Sequence, residues 1–193
     1  MDRQIKTNFR LEQWEERRFI GKSIYVRAVM DASPENIYSS KLCGALWAQK
    51  DWIFEELDKM SEYATEDQEA VGLITWEKFD EKNILFGYTV GRFMKAGTPV
   101  PAYMDYIDLP AVCVAKGTKK AAYNIVDGWA TGDFFFVVGC DELWLYEEAA
   151  LYGYERASNI FVAEAYPDEP DENGIIPKWE SWAACKKSAP TVD

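Results

Sequence analysis

Apolar and polar residues alternate along several stretches of the chain, and the alternation gives way to a helical spacing in two others. From Phe19 the run FIGKSIYVRAVM sets Ile24, Val26 and Ala28 on one side and Tyr25, Arg27 and Val29 on the other, which predicts a strand. After a turn at DASPEN, Leu42, Leu46, Ile53 and Leu57 recur near a helical period between Ser39 and Met60, with Trp47 and Trp52 close to that stripe. Gly72 to Trp76 begins a second strand and FDEKN a polar turn. ILFGYTVGRFM then supplies a third strand, with Ile84, Phe86, Tyr88 and Val90 sharing one side. The first half therefore reads strand, helix, strand, strand. The segment before Arg18, which mixes charge with Phe9, Leu11 and Trp14, reads as an edge strand or an ordered arm.

The same order begins again after the connection AGTPVP. YMDYIDLPAVCVAKG reads as an extended strand interrupted or bent at Pro110. A second helix is predicted between about Gly132 and Leu151, from the spacing of Phe136, Leu143, Tyr146 and Ala150, with Gly153 to end it. NIFVAEAYP and IIPKWESWAACKK complete the pattern, separated by the acidic loop DEPDENG. The expectation is an α+β fold in which two pseudo-twofold βαββ repeats, about 17–97 and 98–187, form a single domain over 1–193. Helices would cover one face of an antiparallel sheet and leave the opposite, concave face free; residues 188–193 would be a disordered tail.

Composition narrows the chemistry. A chain of 193 residues with 48 % hydrophobic content is large enough to bury roughly two-thirds of its unfolded surface without staples. The chain contains no histidine, which excludes histidine-dependent general bases, Ser-His or Cys-His triads, and histidine ligation of zinc or haem. The net charge of -12 repels phosphate backbones and attracts cationic solutes, so direct nucleic-acid binding is not expected. Cys43, Cys113, Cys140 and Cys185 lack CxxC spacing and read as scattered buried thiols. No window is apolar over the roughly 18–20 residues of a membrane span, and Asp2, Arg3, Lys6 and Glu12 stand where a signal core would lie; the expected address is the cytoplasm. The acidic runs WEERR, DEKN and PDEPDEN miss the calcium-loop spacing and read as solvated loops. Gly87 and Gly91 fit no phosphate loop and read as strand bends or close packing.

Six segments taken in order resemble the GyrI-like small-molecule-binding family, also met as the effector-binding portion of AraC-type and multidrug-sensing bacterial regulators: RRFIGKSIYVR, EAVGLITWEKFDEKNILFGYTVGRFM, YIDLPAVCVAKG, LYGYE, FVAEAYPDEP and WESWAACKK. Together they span about residues 17 to 187. Two features depart from the family: the stretch from Gly117 to Gly153 is longer, and a PAGxYAVF-like strand has become LPAVCVAKG. The resemblance implies two repeated βαββ units, a central ligand cleft, and one or more buried glutamates among aromatic rings that receive hydrophobic cations. Such domains usually report ligand to an attached DNA-binding domain; with no room for a helix-turn-helix module before Phe19 or after Lys187, this chain is expected to be a stand-alone member.

Alternation within FVAEAYP points Val162, Glu164 and Tyr166 to one side, making Glu164 the first candidate ligand carboxylate; in KWESWAACK it sets Glu180 beside Trp182, making Glu180 the second. A carboxylate in an aromatic cup attracts a lipophilic cation by Coulomb interaction, and each ring face adds about 0.5–2 kcal/mol. Tyr88 and Tyr106 are further candidates for the cup, since their strands resemble pocket-lining strands of the family, and Trp47 is another, on the first helix near its apolar stripe. The leading expectation is a protein that senses or sequesters hydrophobic, cationic or aromatic compounds without turning them over. The alternative is a hydrolase of cyclopropane-containing electrophiles, with Glu164 or Glu180 as general base and a tyrosine such as Tyr166 steadying the leaving oxygen. No metal or cofactor is expected; a protein partner remains a third possibility.

Overall fold

A computed structural model of the chain describes residues 7–28, 42–79, 84–119, 122–124, 129–131, 143–157, 160–166, 175–176 and 179–189. The strands in chain order are β1 (Thr7–Trp14), β2 (Arg17–Ala28), β3 (Ala70–Phe79), β4 (Ile84–Lys95), β5 (Asp105–Leu109), β6 (Val112–Lys119), β7 (Ala122–Asn124), β8 (Trp129–Thr131), β9 (Tyr154–Arg156), β10 (Val162–Tyr166), β11 (Ile175–Ile176) and β12 (Trp179–Lys187). Residues 42–47 are helical and lead into α1 (Lys50–Asp58); α2 is Leu143–Ala150. The main sheet is antiparallel with order β1-β6-β12-β10-β3-β4-β2-β5, and β9 extends it by pairing with the end of β12. Three short strands form a separate sheet, β11-β7-β8.

The predicted α+β architecture is observed in outline. The opening segment is an edge strand, and of the interruption or bend expected at Pro110 the chain shows an interruption. β5 and β6 are separated only by Pro110 and Ala111, yet β5 pairs with β2 at one edge of the sheet and β6 with β1 at the other. Proline has no N–H to give the ladder, so the chain leaves one edge there and joins the opposite one. A second short link, Glu15–Glu16, joins β1 to β2 in the same region.

These links draw the two ends of the sheet together. Trp14 of β1 lies edge-on to Phe93 of β4, with ring centroids 4.8 Å apart. The sheet therefore curls around a core of Trp14, Phe19, Phe93, Phe161 and Trp182. Gly21 and Gly91 are register partners at close approach: a Cβ on either would stand 2.0 Å from a carbonyl oxygen of the other strand. This corrects one expectation. The face opposite the helices is filled by aromatic side chains, because the ends of the sheet curl across it.

Both helices pack on the other face. Cys43, Leu46, Trp47, Ile53 and Leu57 bury one side of the first helical segment over β2 and β4. α2 buries Leu145 and Ala149 against β6 and β12, whereas Ala150 is exposed, so the burial stripe differs by one position from the predicted one. Gly153, at φ +77°, donates its N–H to Ala150 O and ends the helical segment as expected. The predicted helical residues 132–142, including Phe136, lie outside the described residues, as do 39–41 at the start of the first helix. No helix among the described residues is long and apolar enough to cross a membrane.

Candidate functional site

Glu164 lies near the centre of the sheet, on β10 between the halves covered by α1 and α2, and is only 2 % exposed. In the ladder it stands between Gly72 of β3 and Ser181 of β12, and Ser181 in turn faces Gly117 of β6. Register partners share a face, so the carboxylate sits in a row with Gly72, Ser181 and Gly117, which have little or no side chain. Rings from neighbouring rows close over this low stripe. Tyr166 Oη donates to Glu164 Oε2 at 2.8 Å, and Tyr88 Oη approaches the same oxygen at 3.5 Å. Trp47 Nε1 donates to Tyr88 Oη at 2.8 Å, and its ring stands edge-on to Tyr166 with centroids 4.8 Å apart. The Cys43 thiol is pushed up first by burial and then by the negative charge of Glu164.

Two glycines define the clearance of this site. A Cβ on Gly72 would fall 2.3 Å from Tyr88 Oη, and one on Gly117 would fall 2.1 Å from Trp144 Cη2. Trp144 of α2 thus flanks the row on one side as Trp47 and Tyr88 do on the other. Ser181 Oγ and Trp144 Nε1 are buried and have no hydrogen-bond partner among the described residues. Gly117→Ala should displace Trp144 and destabilise the protein by about 1–3 kcal/mol, as overpacking generally does. Thermal unfolding monitored by tryptophan fluorescence would check this, and an unchanged midpoint would contradict the packing.

The sequence candidates divide between the two faces. Glu164, Tyr166, Tyr88 and Trp47 come together as described. Glu180 and Trp182 lie on the opposite face, where Arg10 makes a two-pronged pair with Glu180 at 2.9 and 3.0 Å and Trp182 Nε1 donates to the same carboxylate at 2.9 Å. Burial alone would raise the Glu180 carboxyl, but the bonds from Arg10 and Trp182 outweigh it and hold it below its ordinary range. Tyr106 is apart from both groups, on edge strand β5, 53 % exposed and stacked under the Arg18 guanidinium. Trp144 was missed in the sequence because α2 is short and its register ambiguous. The described residues hold no cluster of metal-ligating side chains. A separate cavity of about 730 Å³ lies at the end of β6 and β12, bordered by Trp14, Cys113, Tyr154, Cys185 and Lys187, and does not include Glu164.

No protein-family model matches the chain, and no curated protein matches it either. Solved structures do. A Staphylococcus aureus MU50 protein proposed to act in bacterial transcription regulation is 14 % identical with a TM-score of 0.51, over 93 % of this chain and 98 % of that one. EcmrR, in its cryo-EM complex with DNA, is 14 % identical with a TM-score of 0.50, over 93 % of this chain and 57 % of that one. SAV2435 bound to tetraphenylphosphonium is 14 % identical with a TM-score of 0.47, over 93 % and 94 %. Likeness at this identity shows a shared fold. This agrees with the fold that the sequence resemblance implied.

Proposed function

We propose that this protein is a small-molecule-binding domain that senses or sequesters hydrophobic cations, held at Glu164 within the ring of Tyr166, Tyr88, Trp47 and Trp144. The observation that carries this reading is a carboxylate only 2 % exposed near the centre of the sheet, bonded by Tyr166 Oη, approached by Tyr88 Oη and set beside the Trp47 ring that packs on Tyr166. Tyr166 and Tyr88 supply dipoles, the surrounding rings offer their faces to a cation, and the carboxylate attracts it at low effective dielectric. Glu180 is a weaker ligand carboxylate because Arg10 already pairs with it.

The strand order supports a repeat as the origin of this central site. β6-β12-β10 and β2-β4-β3 have the same internal arrangement, meeting at the β10–β3 pair, so a pseudo-twofold axis would run beside Glu164. Access to the carboxylate would then require Trp47 and its helix to shift, since Trp47 covers the tyrosines.

The test is a thermal-shift and calorimetric titration with tetraphenylphosphonium, which buries its charge within four aryl rings, against neutral triphenylphosphine oxide. Ligand at 100-fold its Kd should add about 2.7 kcal/mol to stability. Stabilisation by the cation alone, with ligand recovered intact by mass spectrometry, is the expected result. Equal effects of both compounds, or none, would refute a charge-selective cup.

A further inference from the structure

Cys113 of β6 and Cys185 of β12 are direct register partners in an antiparallel ladder and project to the same face. Directly opposed residues of such a pair have Cα atoms about 4.5 or 5.5 Å apart. Both spacings fall within the roughly 4.4–6.8 Å that a disulfide bridges. Both thiols are free. They end the β6–β12 ladder: beyond them Val112 continues along Trp14 while Lys186 turns to Glu155 of β9. The cavity of about 730 Å³ opens at this fork, and both cysteines border it. Among the cysteines of the described residues, these two alone combine mutual register with a path to solvent.

We propose that Cys113 and Cys185 are a modification site, a cross-strand dithiol that hydrogen peroxide converts reversibly to a disulfide. The Cys113 thiolate attacks one peroxide oxygen and becomes a sulfenic acid as hydroxide leaves and takes up a proton. The Cys185 sulfur then displaces the sulfenic oxygen as water. Two thiols and one peroxide thus give one disulfide and two waters, and a dithiol reductant reverses the change. Burial raises the Cys113 thiol, while Tyr154 and Gln13 at the cavity wall act in the opposite direction by stabilising its thiolate; Cys185 is pushed up to about 12 by burial and then by the neighbouring sulfur. The roles follow: Cys113 is the attacking group and Cys185 the resolving one. A pair held largely protonated responds to sustained oxidant and spares the protein from traces.

The experiment treats the folded full chain with hydrogen peroxide, alkylates the remaining thiols, and maps peptides by mass spectrometry. The expected result is a loss of about 2 Da, the difference between two thiols and a disulfide. A linked Cys113–Cys185 peptide should accompany it, with Cys43 still alkylated, and dithiothreitol should restore all thiols. Cys185→Ser should leave Cys113 as a sulfenic acid that a dimedone probe captures. Independent alkylation of both cysteines after oxidant, separate sulfinic acids, or a link that forms only in urea would overturn the proposal. The mapping on the unaltered chain decides the question even where a serine variant fails to fold.

Discussion

Glu164→Gln is expected to weaken tetraphenylphosphonium binding by about 100-fold while the fold survives. A unit charge about 5 Å from the carboxylate, at an effective dielectric near 20, gains about 3 kcal/mol from it. A neutral amide loses that attraction and keeps the shape. Its carbonyl oxygen can still accept the Tyr166 hydroxyl that now points at Glu164 Oε2. The unliganded variant should unfold at the same temperature or higher, because a neutral amide costs less to bury than a carboxylate. Calorimetry reads the affinity and thermal unfolding the stability. Unchanged affinity in a folded variant would remove Glu164 from the ligand's electrostatics; a collapse in stability would assign the carboxylate to the architecture instead.

Much of this arrangement could be read from the chain because it rests on local periodicity. Period-two alternation in β10 put Glu164 beside Tyr166, the same rule in β4 put Tyr88 with Phe86 and Val90, and a helical period placed Trp47 on a buried stripe. Relations between distant segments were not readable. Glu164 and Glu180 each stand in an alternating strand with an aromatic neighbour, but β10 and β12 pair with Ala165 opposite Glu180 and Ser181 opposite Glu164. That register sends the two carboxylates to opposite faces, and no local pattern encodes it.

Tyr106 and Trp144 show two further limits. The sequence left open whether the strand is interrupted or bent at Pro110, and it could not show that the interruption sends Tyr106 to an exposed edge and Cys113 to the far side of the sheet. α2 has 8 residues, too few turns for periodicity to fix its buried side. The curl of the sheet was equally hidden, since it arises from two short links that bring distant edges together. It turns a surface expected to hold ligand into a second core.

Lys116→Met should be the most damaging single change in that second core, lowering stability by about 3–5 kcal/mol, the usual penalty for removing one member of a buried ionic group. A lysine on a strand ordinarily reads as solvent-facing, but here its side chain is fully buried. Its ammonium pairs with Asp67, reaches Glu12 Oε2 at 2.7 Å, and lies 4.0 Å from the centroid of the Trp182 ring. Methionine would fill much of the volume and leave Asp67 to Arg17 and Glu12 to Arg10. The pH dependence offers an independent check. Burial alone would raise the Glu12 carboxyl, yet hydrogen bonds from Lys116 and Arg10 prevail and bring it to about 2. A carboxyl depressed in the folded state contributes stability that is fully present above its unfolded value, near 4.5, and is lost as pH falls through about 2. The unaltered protein should therefore lose thermal stability progressively between pH 4.5 and 2. Lys116→Met should start from a lower midpoint at neutral pH and show a shallower acid decline, because Glu12 then lacks its strongest partner. Equal midpoints for the two proteins at neutral pH would mean that burying Lys116 costs as much as its partners return.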